Sequence, residues 1–82
     1  MKNPLRKEKS GVISRVSPDF YDPARFVLVD VDSAEGHRRL LVATRFWRER
    51  RRFVGQEFSW IAWPSVVSLL SSVQDVTNEN QR

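Results

Sequence analysis

At 82 residues, with one histidine and no cysteine, the chain has room for a single hydrophobic core and for no disulfide, thiol nucleophile, thiolate metal site or histidine cluster. Eleven arginines and three lysines face ten acidic residues, a net charge of +4. Guanidinium groups hold phosphate or carboxylate in a planar fork, so the arginine bias mildly favours anionic partners, though a GC-rich genome gives the same bias.

The first ten residues, Met1 to Ser10, carry Lys2, Arg6, Lys7 and Lys9 against Glu8, and beyond the initiator only Leu5 is bulky and apolar. Such a segment has nothing to bury, and a mobile basic tail is expected over 1–10. The N-terminus has no apolar signal core and no apolar run approaches the ~20 residues that span a bilayer. A cytoplasmic, bacterial protein with no membrane association is expected.

Order is expected to begin at Gly11. Val12, Ser14 and Val16 alternate with Ile13, Arg15 and Ser17, the period of a strand. Ser17 to Pro23 then sets two prolines and two aspartates around Phe20 and Tyr21, which is loop composition. Arg25 to Asp32 and Arg38 to Trp47 are two further β-type runs joined by Ser33-Ala34-Glu35-Gly36-His37, so a hairpin with a loop of about five residues is predicted. Its core faces are Val27, Val29 and Val31 on one arm and Leu40, Val42, Thr44 and Phe46 on the other. A helical turn through Arg45 to Arg52 competes with the end of that second arm, because Arg45 and Glu49 stand at the i, i+4 spacing.

Phe53 to Trp63 fits a fourth strand in which Val54, Gln56, Phe58, Trp60 and Ala62 share a side and Gly55 marks a bulge or bend. Pro64 can open a helix, and Val66, Leu69, Leu70, Val73 and Val76 recur at three- and four-residue spacing opposite serines and Asp75. These elements predict a mainly β (α+β) domain over 11–77: a four- to five-stranded antiparallel curled sheet or barrel of the OB or SH3-like kind, closed by one C-terminal amphipathic helix, with 78–82 frayed.

The strongest local feature is Arg45-Phe46-Trp47-Arg48-Glu49-Arg50-Arg51-Arg52-Phe53, in which five arginines and three aromatics fall within nine residues. Guanidinium groups take phosphate oxygens and a flat ring stacks on an unpaired base, so the composition is that of a nucleic-acid surface with little sequence preference. Arg45, Arg48, Arg50, Arg51 and Arg52 are the expected phosphate contacts for DNA or RNA, Trp47 the expected stacking platform, and Phe20 and Tyr21 additional stacking candidates. The blander explanation is that Phe46 and Phe53 are core, the arginines solubilise a turn, and Phe20 and Tyr21 plug an open end of the sheet.

Exposed tryptophan beside arginine also suits a protein interface. An acidic protein partner or self-association through Trp60 and Trp63 is therefore the alternative. Asp30, Asp32, Glu35 and His37 form the one ligand-like cluster, but Asp32-Ser33 is ordinary turn vocabulary and no lysine stands nearby in sequence to polarise a phosphate. No serine sits in a nucleophile elbow and no glycine loop cradles phosphate. We expect no catalytic residue, no metal and no cofactor.

Overall fold

β-Branched residues at alternate positions make the central hairpin, and its register puts the valines inside. A computed structural model of the chain describes residues 7–62 and 72–77. In it β2 (Phe26–Ser33) pairs antiparallel with β3 (Gly36–Ala43), from Phe26 opposite Ala43 to Ser33 opposite Gly36. The connection is thus only Ala34-Glu35, tighter than the expected five residues. Ser33 closes it: its Oγ accepts from the Glu35 amide at 3.2 Å and donates to the Gly36 carbonyl at 2.9 Å. Gly36 follows with φ +99°, a conformation that side chains with a Cβ rarely adopt.

β1 (Lys7–Pro18) is the longest strand because it serves two neighbours. Its second half, from Gly11, pairs with β2, and its first half pairs with β4 (Glu57–Ala62), from Lys7 opposite Ala62 to Val12 opposite Glu57. The basic tail expected over 1–10 is therefore overturned for Lys7–Ser10. Backbone pairing orders these residues without an apolar anchor, and Lys9 adds a 2.7 Å ion pair to Glu35. Ser14 is an extra residue in the ladder, since Ile13 faces Val31 but Arg15 faces Asp30. The bulge bends the strand and lets it leave one half of the sheet for the other.

The sheet order is β4-β1-β2-β3-β5, where β5 is Val73–Asp75. All pairings among the described residues are antiparallel, and the sheet curls into a half-barrel whose end strands, β4 and β5, come into contact. The helix expected at the C-terminus is corrected here. Val73–Asp75 is a strand against Leu40–Val42, and the rest of the expected helix falls largely on 63–71, outside the described residues. Helical spacing and strand alternation both put Val73 inward, and the open edge of β3 decides the outcome by taking its backbone hydrogen bonds. The helix that is described, α1 (Thr44–Arg50), lies mid-chain, where the second hairpin arm was expected to run on to Trp47.

Ile13, Val29, Val31, Leu40 and Val42 are fully buried, with Trp47, Phe58, Trp60 and Val73 nearly so. Val29, Val31, Leu40 and Val42 lie on the faces assigned from their alternation. The aromatics form a column at one side: Trp47 lies 5.6 Å from Phe58 between ring centroids, and Phe58 stacks on Trp60 at 6.2 Å and 17°. Fully burying a side chain of this size is worth roughly 1.5–3 kcal/mol, so the column is a main anchor of α1 and β4.

Two tests follow from the fold. A Cβ on Gly11 would stand 2.9 Å from the Asp32 carbonyl oxygen and 3.2 Å from Val31 Cβ, both part of the packed β1–β2 crossing. Gly11→Ala is expected to destabilise by about 1–3 kcal/mol, as overpacking does, read as a lower urea midpoint at an unchanged slope. The second concerns β5, which Arg38 holds through 2.8 Å contacts to Asp75. Burial would raise the Asp75 pKa, but hydrogen bonds from the Thr77 hydroxyl and amide and from Arg38 outweigh it and hold the carboxyl below its ordinary 3.8. A depressed folded pKa stabilises above the unfolded value and is lost as pH falls through the folded one. Urea melts between about pH 5 and pH 2 should show that loss in the wild type and a shallower one in Asp75→Asn.

Candidate functional site

The arginine-rich segment divides between helix and turn. In α1, Trp47 points inward onto Phe58, Phe46 is half-buried against the core, and Arg45, Arg48 and Glu49 face solvent. Arg50 lies one helical turn after Phe46, with its guanidinium carbon 4.9 Å from the Phe46 ring centroid, a cation–π contact. Arg51 ends the helix in an extended conformation. Arg52 turns back, donating from Nη1 to the Arg51 carbonyl at 3.0 Å and the Arg50 carbonyl at 3.4 Å. These oxygens belong to the helix end, where unsatisfied carbonyls and the negative pole of the dipole favour a cation.

The five arginines are thus unequal. All are exposed, but Arg50 covers a ring and Arg52 caps α1, while Arg45, Arg48 and Arg51 make no ion pair or side-chain hydrogen bond among the described residues. These three are open to an external anion at no structural cost.

Trp47, expected to stack on a base, is 6% exposed and walled in by Phe58. It offers no open ring face; instead it fastens α1 to the curled sheet. Trp60, expected at a protein interface, is 3% exposed and stacks on Phe58, and its Nε1 has no hydrogen-bond partner among the described residues. Trp63 lies outside the described residues.

Phe20 and Tyr21 stand at the surface, 81% and 69% exposed, with rings edge to face at 5.1 Å. They do not plug the sheet. Asp19 shapes their loop, its Oδ2 accepting from the Tyr21 amide at 3.2 Å and the Asp22 amide at 2.7 Å. The Asp22 carbonyl accepts from the amides of Arg25 and Phe26, which returns the chain to β2. The loop therefore presents its rings on a hydrogen-bonded frame.

This loop and α1 meet at one end of the sheet. Phe26 pairs with Ala43, and the Thr44 amide, the first of the helix, donates to the Arg25 carbonyl at 2.8 Å. The Ala43 amide donates to Ser72 at 2.8 Å, so the approach to β5 arrives at the same place. The base of the aromatic loop and the first turn of the arginine helix, far apart in sequence, are thus joined through the backbone, while Arg51 lies at the opposite end of α1.

On the outer face of the sheet, Asp30 is 4% exposed, and its Oδ1 contacts Arg39 Nε and His37 Nε2, each at 3.0 Å. Arg15 stands beside it in the register. The carboxylate expected to be a weak metal candidate is thus occupied by two side chains, and among the described residues no group of three or more such ligands is placed to hold a metal ion. No helix among the described residues is long and apolar enough to cross a membrane.

Sequence inspection missed the exposure of Phe53 and Val54, 67% and 63%, where Phe53 had a core explanation. A glycine two residues later was the available signal of a tight turn that turns both outward. No protein-family model, curated protein or solved structure matches the chain.

The two classes of arginine can be separated. Arg52→Ala removes both helix-end hydrogen bonds and is expected to lower stability by about 0.5–1.5 kcal/mol, whereas Arg51→Ala, next to it, should stay within about 0.5 kcal/mol of wild type; thermal or urea unfolding of the two variants side by side reads the difference.

Proposed function

We propose that the chain is a small nucleic-acid-binding module that contacts the phosphate backbone with little sequence preference and carries out no catalysis. The observation that supports it most directly is the exposure of Arg45, Arg48 and Arg51 without a protein partner among the described residues, on a helix whose first turn is bonded to the base of the Phe20–Tyr21 loop through the Thr44–Arg25 hydrogen bond. Arg45, Arg48 and Arg51 take phosphates, and Phe20 and Tyr21 supply ring surface beside them.

The connectivity supports the same assignment. Three strands in a meander, a helix, and two more strands that return to opposite edges of the sheet suit an OB-type barrel better than an SH3-like one. In OB-type barrels the loop between the first two strands helps to hold oligonucleotides; here that loop carries Phe20 and Tyr21. Burial of Trp60 removes one anchor of the alternative protein interface.

The test is anisotropy of labelled single-stranded DNA, duplex DNA and RNA, titrated with protein between 50 and 200 mM salt. Three phosphate contacts predict a slope of log K against log salt of about −2.7 on duplex DNA and about −2.1 on a single strand. The Arg45→Ala/Arg48→Ala/Arg51→Ala variant should lose most of the salt-sensitive affinity while keeping its unfolding midpoint. Binding with a slope near zero, or no binding at 50 mM salt, would overturn the proposal.

A further inference from the structure

Among the exposed aromatic side chains, Phe53 stands on a backbone that is itself hydrogen-bonded to the sheet. Phe53 to Gln56 is a closed turn: the Gln56 amide donates to the Phe53 carbonyl at 2.9 Å, and the Phe53 amide donates to Gln56 Oε1 at 2.7 Å. The turn is in turn bonded to the sheet, since Gly55 donates to the Ile13 carbonyl at 2.8 Å and Ile13 donates to the Gln56 carbonyl at 2.9 Å. Gly55 makes this possible with φ +93°. A phenyl ring that is two-thirds exposed is therefore carried on the first residue of a pinned turn, directly after Arg51 and Arg52.

A ring in that setting exposes apolar surface to water and gains free energy when that surface is covered by another flat group. The two residues before it, Arg51 and Arg52, are cationic, so a flat surface that is also anionic suits it best. A nucleobase attached to a phosphate backbone satisfies both conditions. In a duplex each base is already covered above and below by its neighbours; an unpaired base has a face to give. Because the backbone of the turn is already hydrogen-bonded before binding, little backbone entropy is lost when the contact forms.

We propose that Phe53 is the stacking platform for an unpaired base and that the ligand is single-stranded nucleic acid. The proposal rests on the nucleic-acid function above and moves the stacking role from Trp47, which is buried, to a residue at the far end of the same arginine segment. Arg51 takes the phosphate next to the stacked base, and Arg52, folded on the helix end, keeps a positive charge beside it.

The experiment compares wild type, Phe53→Ala, Phe53→Leu, Phe53→Trp and the Arg45→Ala/Arg48→Ala/Arg51→Ala variant, each titrated into a labelled thymidine oligonucleotide and into its duplex with the complementary strand, with urea midpoints as a check on folding. Phe53→Ala should bind the single strand about 5- to 150-fold more weakly, the range that loss of one base–aromatic stack gives, with its salt slope and duplex affinity unchanged. Phe53→Leu, which keeps apolar area without a flat ring, should fall with it, and Phe53→Trp should match wild type or exceed it. Unchanged single-strand affinity in Phe53→Ala, beside loss in the arginine variant, would overturn the role of Phe53 and leave the phosphate-binding function standing. Equal loss on duplex would overturn the single-strand assignment, and a leucine variant equal to wild type would overturn stacking. Absence of salt-sensitive binding by wild type would overturn both proposals together.

Discussion

A seven-residue helix cannot hold itself together in water, because the first turn costs more conformational freedom than its few hydrogen bonds return. What keeps α1 in place is Trp47, sunk against Phe58, which itself lies on Trp60. Everything proposed about the surface depends on that contact. Trp47 fixes the axial rotation of the helix, and rotation decides that Arg45 and Arg48 face out while Phe46 rests against the core. The fixed end of α1 in turn sets where Arg51 and Arg52 leave it and where the Phe53 turn begins.

β1 supplies the second constraint. A strand that pairs with β4 along one half and with β2 along the other has to bend, and the chain meets this with the unpaired residue Ser14 and with Gly11, where β2 comes too close for a side chain. The bend carries the Phe53–Gln56 turn up against Ile13. The opposite end of β1 leads into the Phe20–Tyr21 loop, so one strand positions both sets of exposed rings.

The hairpin was legible because strand alternation in Val29, Val31, Leu40 and Val42 needs no tertiary information. The short helix was ambiguous for a physical reason: Arg, Glu and Trp tolerate both helix and strand, and the balance is set by whether Trp47 finds Phe58. At the C-terminus the valine spacing fits either element, and only the free edge of β3 selects strand for Val73–Asp75. Lys7–Ser10 shows the opposite limit, since a backbone ladder orders a charged segment that side-chain composition alone would leave mobile. In the site, the arginines could be listed from the sequence, but which of them are occupied could not. Arg50 on Phe46 and Arg52 on the helix carbonyls are contacts made by the shape of one turn.

That division of labour among neighbouring arginines bears on how the surface can change over evolutionary time. Arg45, Arg48 and Arg51 can be exchanged for other polar residues with little loss of stability, because neither the core nor a helix end relies on them. Trp47, Phe58 and Gly11 have no such freedom. A lineage could therefore retune, or even reverse, the sign of that surface through single substitutions while the curled sheet beneath stayed the same, so that the proposed affinity for a polyanion can be gained or given up without touching the core.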